Sequence, residues 1–250
     1  MITLVSTENK VIQNYMHSQA KNIFAVRIQS LIIAYGKYDN LLDIWYQNDN
    51  NKITAYLLKY GNEIIADIVG ECDIAELINF CRMTGAKVLL CKKIPTDGYL
   101  GTVMKLKSLR NNEYDYAVSH EVDLQEYYRL LKSNQSEKFV VPDFKDFYVD
   151  LHHRLRKRCA EITGVYFERQ LVSGCIASAI SGNSAIISAV ATLPEYKRQG
   201  FGTKAVYELC QSLRDKGVDN IYLQRDKNEN KKFYRHSGFE DVAEFMQILL

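Results

Sequence analysis

Apolar positions between residues 114 and 250 switch repeatedly between strand and helix spacing, and the switches predict a fixed order of elements. Tyr114 to Glu121 reads as a strand, and Leu124 to Leu131 as a helix with apolar residues three and four apart. Phe144 to Cys159 keeps the helical spacing, and Glu161 to Glu168 and Leu171 to Ser181 read as strands. The turn Gly182-Asn183 leads into the apolar run Ala185 to Thr192, a buried strand stopped by Pro194, which has no N–H to give to a ladder. A helix from Thr203 to Lys216 ends at Gly217. Asn220 to Gln224 is a further strand, Lys231 to His236 a short helix and Val242 to Leu249 a closing strand. This mixture predicts an α/β (α+β) fold with a mixed, partly antiparallel sheet flanked by helices.

The connection between the buried strand and the long helix carries the most chemistry. It reads Leu193-Pro-Glu-Tyr-Lys197-Arg198-Gln199-Gly200-Phe201-Gly202-Thr203. Amides at a helix start are unpaired and lie at the positive end of the helix dipole, and glycines let a bulky anion approach them. The segment therefore predicts a diphosphate cradle at the end of a strand. Gly200-Phe-Gly202-Thr-Lys-Ala205 fits G-x-G-x-x-G/A, but a dinucleotide fold runs its strand almost directly into the first glycine and places most of its sheet afterwards. A Walker loop needs Lys and then Ser or Thr after its last glycine, where this chain has Thr203-Lys204-Ala205.

The segment resembles the acetyl-CoA motif Q/R-x-x-G-x-G/A of the GNAT superfamily of N-acetyltransferases, with Lys197 in the first position and Gly200 and Gly202 in place. Phe233-Tyr234-x-x-x-Gly238-Phe239 looks like the C-terminal signature of the same family. The resemblance covers roughly residues 112 to 250. It implies that amides of Arg198, Gln199, Gly200, Phe201, Gly202 and Thr203 hold the diphosphate of acetyl-CoA. It also implies that Val190, Ala191 and Thr192 pair with the pantetheine arm, and that a backbone N–H of this strand polarises the thioester carbonyl. Tyr234 is then the candidate general acid for the leaving thiolate. An asparagine near the cofactor is also implied, with Asn228 and Asn230 both candidates and neither at the commonest spacing. The implied reaction is direct acetyl transfer to a primary amine of a small molecule or peptide, with no metal.

The first 110 residues echo the rest. Ile53-Thr-Ala-Tyr, Gly61-Asn62 and Ile64-Ile65 match Ile176-Ala-Ser-Ala, Gly182-Asn183 and Ile186-Ile187. Glu76-Leu77, Gly85 and Val88-Leu-Leu90 match Glu208-Leu209, Gly217 and Ile221-Tyr-Leu223, and Gly98-Tyr99 matches Gly238-Phe239. These echoes predict two tandem GNAT-like domains, 1–110 and 111–250. The offset rises from 122 (64 to 186) to 132 (85 to 217), so about ten residues are missing from the first copy around its shorter connection, Val69-Gly-Glu-Cys-Asp-Ile74. Tyr234 maps onto Ile94, at an offset of 140. The first copy is expected to lack both cradle and acid, to shape the acceptor site, and to replace the dimer contacts of single-domain relatives, giving a monomer, with a dimer as the alternative.

Composition narrows the setting. Charged residues are 25% and apolar residues 47%, an ordinary globular balance. No apolar run approaches the ~20 residues of a membrane span, and the N-terminus lacks a signal peptide's basic and apolar regions. The six cysteines form no C-x-x-C pair and read as buried free thiols of a cytoplasmic protein. A net charge of +2 gives no reason to expect nucleic acid. Glu161, Glu168, His152 and His153 are candidate bases, and the base stays unassigned. Arg154 and Arg158 are expected to share a helix face within the basic run 152–158. Trp45 is expected in a core. Two other functions fit the same motifs: an acyl-CoA-binding regulator without turnover, and an aminoacyl transferase of the tandem kind.

Overall fold

The computed structural model describes every residue except 39, 111–113, 138 and 227–229. The first half runs β1 (Ile2–Val5), α1 (Lys10–His17), α2 (Ile23–Tyr35), β2 (Asp43–Asp49), β3 (Lys52–Tyr60), β4 (Glu63–Ile68), α3 (Ile74–Met83), β5 (Val88–Lys92) and β6 (Tyr99–Leu106). The second runs β7 (Ala117–Ser119), α4 (Leu124–Lys132), α5 (Phe144–Arg156), β8 (Glu161–Phe167), β9 (Gln170–Ser181), β10 (Ser184–Thr192), α6 (Phe201–Asp215), β11 (Asn220–Asp226), α7 (Lys231–His236) and β12 (Phe239–Leu249). A turn of 3-10 helix, Pro194–Tyr196, separates β10 from α6. Apart from α7, the order of elements is the same in both halves.

The pairing repeats as well. β1–β2, β2–β3 and β3–β4 are antiparallel and β4–β5 parallel. Likewise β7–β8, β8–β9 and β9–β10 are antiparallel and β10–β11 parallel. Glu63 pairs with Val88 where Ser184 pairs with Asn220, which sets the offsets at 121 (63 to 184) and 132 (88 to 220). The second copy is therefore eleven residues longer here, not ten, and the extra length is shared. β10 has 9 residues to the 6 of β4, and α6 has 15 to the 10 of α3. The remaining difference lies in the connections, 193–200 against 69–73.

Contacts divide the chain into two compact units. The first is Met1–Val103 with Arg225, Asp226 and Asp241–Leu250; the second is Met104–Gln224 with Asn230–Glu240. In the first unit β12 pairs antiparallel with β5, Met246 opposite Cys91 and Ile248 opposite Leu89. Met246 and Ile248 are buried there with Leu57, Ile64, Leu77, Leu89 and Cys91. In the second unit Met104, Leu106 and Phe239 join the core between the sheet and α6, with Val206, Leu209 and Leu213. The opposite face packs Tyr127, Leu130 and Leu151 of α4 and α5 on Ile162 and Ile176. A cut at 110/111 therefore misses where the core residues go, because alternation marks a buried strand without saying which core receives it.

Several boundaries differ from the sequence reading for local reasons. Helix α6 starts at Phe201, two residues before the expected Thr203, because left-handed Gly200 precedes it. Helix α5 stops at Arg156, and Arg158 lies past it with φ +56, so Arg154 and Arg158 do not share a helix face. Trp45 is buried and meets Phe80 edge-on, as expected of a core residue. All six cysteines are free.

Candidate functional site

The parallel pairing of β10 with β11 covers Ser184–Ile187 and Asn220–Leu223 and then stops. On the other side β10 carries a bulge. Ser188 faces Ile176 and Ala191 faces Gly174, so two residues of β10, Ala189 and Val190, stand against one of β9, Cys175. Ala189 takes φ +50, and its carbonyl accepts a hydrogen bond from the Tyr127 hydroxyl at 2.7 Å. Beyond the bulge, Ser173 Oγ donates to the Ala191 carbonyl at 2.9 Å and lies 2.8 Å from Thr192 Oγ1. The end of β10 is thus a stretch of backbone open towards β11 and braced from behind.

The loop after it leaves donors exposed. The amides of Tyr196 and Lys197 close on Leu193 and Pro194, and that of Lys204 closes on Gly200. Between them, the amides of Arg198, Gln199, Gly200, Phe201, Gly202 and Thr203 have no partner among the described residues. No side chain caps α6. Gly200 sits at φ +91, where a side chain is strained, and a Cβ there would lie 2.3 Å from the Tyr114 ring. A Cβ on Gly202 would approach Thr192 Oγ1 to 3.1 Å. Six unsatisfied amides at a helix N-terminus, with no Cβ on two of the residues, suit a diphosphate. Lys197 and Arg198 are exposed beside them, while Lys204 is paired with Glu208 at 2.8 Å.

Aromatic residues hold the loop in shape. Phe201 is buried and meets Tyr116, Phe167 and Tyr196 at 4.0, 5.8 and 5.6 Å between ring centres. Tyr116 also donates its hydroxyl to the Gln199 carbonyl at 2.7 Å. Tyr114 and Tyr116, not anticipated as site residues, precede β7 rather than lying within it. Their i, i+2 spacing in the sequence was the available signal, since it places both on one face of extended chain.

Tyr234 lies on α7, half-buried, with Phe233 and Phe239 edge-on to its ring at 5.0 and 6.2 Å. Burial pushes its hydroxyl up to about 12, and the neighbouring Cys175 thiol adds to the effect. The hydroxyl is therefore protonated at neutral pH and makes no hydrogen bond to any described residue. Asn230 precedes α7 with φ +55 and gives no side-chain cap; Asn228 lies outside the described residues.

The candidate bases are dispersed. Glu161 is hydrogen-bonded to Ser212 and paired with Lys216 at 2.7 Å, at the C-terminal end of α6 and far from Gly200. Glu168 occupies the β8–β9 turn with φ +50. His152 stacks on Tyr148 at 5.4 Å, and Arg154 is held by Asp150 and the Ser178 carbonyl.

The corresponding place in the first unit is closed. β4 pairs with β3 without a bulge. The amides of Val69 and Gly70 both go to the Thr54 carbonyl, and Cys72 Sγ donates to Gln47 Oε1 at 2.7 Å. Asp73 caps α3, its carboxylate accepting from the Glu76 amide at 2.9 Å. The chain's own anion occupies the helix N-terminus.

Residues 124–239 match the family model described as acetyltransferase (GNAT) family. No curated protein matches the chain. Among solved structures, a tandem GNAT protein from the clavulanic acid biosynthesis pathway aligns with TM-score 0.63 at 10% identity, over 100% of this chain and 98% of that one. A GNAT-family acetyltransferase from Colwellia psychrerythraea aligns with TM-score 0.61 at 12% identity, over 100% and 99%. A GCN5-related N-acetyltransferase from Kribbella flavida gives 0.60 at 14%, over 91% and 95%. At these identities the likeness is one of fold, and it extends over both halves of the chain. No helix among the described residues is long and apolar enough to cross a membrane.

Proposed function

We propose, from the match of residues 124–239 to the GNAT acetyltransferase family model, that this protein transfers an acetyl group from acetyl-CoA to a primary amine of a small molecule or peptide. The observation that carries the reading is the run of six unpartnered amides from Arg198 to Thr203, at an uncapped helix start directly after a bulged strand. When bound, acetyl-CoA supplies an activated thioester carbonyl and a thiolate leaving group.

The chain's residues divide the remaining work. The 198–203 amides hold the diphosphate, with Lys197 and Arg198 adding positive charge. Val190, Ala191 and Thr192 offer the open backbone of β10 to the pantetheine arm, and Asn228 is a further candidate contact. The bulge turns a backbone N–H of Val190 or Ala191 into a donor for the thioester oxygen, stabilising charge as it develops. Tyr234 holds a proton throughout the neutral range and delivers it to the departing sulfur. An amine with a pKa near ~10 must shed its own proton before attack, and no side chain is assigned that task. Fixing both reactants on one rigid scaffold supplies much of the acceleration.

The first unit holds no acetyl-CoA in this reading, because Asp73 and the Thr54 carbonyl already occupy the groups that would bind a diphosphate. Release of free thiol from acetyl-CoA, followed across a panel of primary amines, tests the reading. Amine-dependent release that falls in a Tyr234→Phe variant is expected. Binding of acetyl-CoA with no release for any amine would point instead to a regulator that senses the cofactor.

A further inference from the structure

Tyr114 belongs to no part of the chemistry described so far, yet its ring lies directly on Gly200. A Cβ on that glycine would meet three of the Tyr114 ring carbons at 2.3–2.6 Å. The ring is 5° from parallel with Tyr116, their centres 5.6 Å apart, and Tyr116 in turn stacks on Phe201 at 4.0 Å and 23°. Three aromatic rings thus form a column from the buried foot of α6 outwards. The inner ring is 2% exposed and the outer 45%. The outer ring offers an exposed aromatic surface beside the charged and polar residues of the loop.

We propose that Tyr114 is a stacking platform for the purine base of the nucleotide whose diphosphate sits on the 198–203 amides. The inference rests on the acetyl-CoA reading above and adds a residue and a recognition chemistry to it. The geometry favours a base over an aliphatic ligand for two reasons. The platform adjoins Gly200, itself one of the amide donors, so a group stacked on it is one short linker away from the diphosphate, as a nucleoside is. The platform is also rigid, because Tyr116 is pinned by its hydrogen bond to the Gln199 carbonyl at 2.7 Å. Stacking on an aromatic face tolerates any base and needs no hydrogen-bond donor from the protein.

Two probes separate the role of the ring from that of the cradle: acetyl-CoA, and S-acetyl-4′-phosphopantetheine, which keeps the thioester arm and one phosphate for the cradle but lacks the adenosine with its 3′-phosphate and the second phosphate. Calorimetry on Tyr114→Ala should show acetyl-CoA weakened about 5- to 150-fold, with the affinity for the shorter probe unchanged. Tyr114→Trp should restore acetyl-CoA binding. Its added tryptophan emission should be quenched by acetyl-CoA and not by the shorter probe, a readout that also serves if the alanine variant folds poorly. Wild-type affinity for acetyl-CoA in Tyr114→Ala overturns the proposal, as does equal weakening of both probes, which would make the ring a prop for the loop. Failure of wild type to bind acetyl-CoA overturns the proposed function and this inference together.

Discussion

The fully buried hydroxyl of Tyr127 donates to the carbonyl of Ala189 at 2.7 Å, so α4 fixes the one left-handed residue of β10. Ala189 gains nothing from φ +50 on its own, since a left-handed alanine costs about 1–2 kcal/mol. The Tyr127 bond and the register on both sides of the bulge offset that cost. Removing the hydroxyl in Tyr127→Phe should destabilise the protein by about 1 kcal/mol. It should also lower the turnover of acetyl-CoA more than its affinity, because in the proposed reaction the bulge aims a donor at the reacting carbonyl while the diphosphate contacts stay intact. Denaturant unfolding and steady-state kinetics of the variant check both parts.

Gly200 and Gly217 are both left-handed, at φ +91 and +83, but only Gly200 has a neighbour in the way. Gly217→Ala should therefore cost about 1–2 kcal/mol of stability and leave acetyl-CoA affinity alone. Gly200→Ala adds a collision with Tyr114 at the cradle itself, so it should lower affinity at least tenfold as well as stability. Equal behaviour of the two variants in a binding titration would contradict this distinction.

Burial raises the hydroxyl of Tyr234 to about 12, and it raises Tyr15 and Tyr127 well above 10. The folded protein therefore keeps protons that the unfolded chain loses near pH 10. These tyrosines contribute fully to stability below pH 10, and their contribution fades as the pH climbs through the raised values. Unfolding free energy should fall between pH 10 and 12. For catalysis, the acid form of Tyr234 persists across the working range, so no loss of rate below pH 10 should come from this group. Tyr234→Phe should cut kcat by about 10²–10⁴ with unchanged acetyl-CoA affinity.

The last strand of the chain is part of the first unit's core. Ile248 and Met246 are 4% and 2% exposed there. Ile248→Ala should cost about 2–5 kcal/mol, and deletion of residues 241–250 should cost more than a typical unit's margin of stability. Limited proteolysis should then cut within residues 1–103, although none of them has been altered.

Much of this was legible because periodicity and glycine position report local geometry. Lys231 to His236 forms the expected helix, and Gly200 and Gly202 fall at the start of α6. Residues whose meaning depends on distant partners were not legible. Tyr114 and Tyr116 read as strand residues; their role appears only when α6 is packed against them, 85 positions downstream of Tyr116 at Phe201. The bulge at Ala189 is invisible because its cause, Tyr127, lies on another helix. Glu161 reads as an available base in sequence, but Ser212 and Lys216, more than fifty positions away, occupy its carboxylate. Asp73, which closes the first copy, is an ordinary N-cap that gains significance only beside the uncapped α6.

In the proposed function one cradle, at Gly200, binds acetyl-CoA. Calorimetric titration of acetyl-CoA into wild type and a Gly200→Glu/Gly202→Glu variant tests it most directly. One site per chain is expected in wild type, lost in the variant, whose carboxylates would stand where the diphosphate goes. No binding to wild type would contradict the transferase reading, and two sites per chain would contradict the closure of the first unit by Asp73.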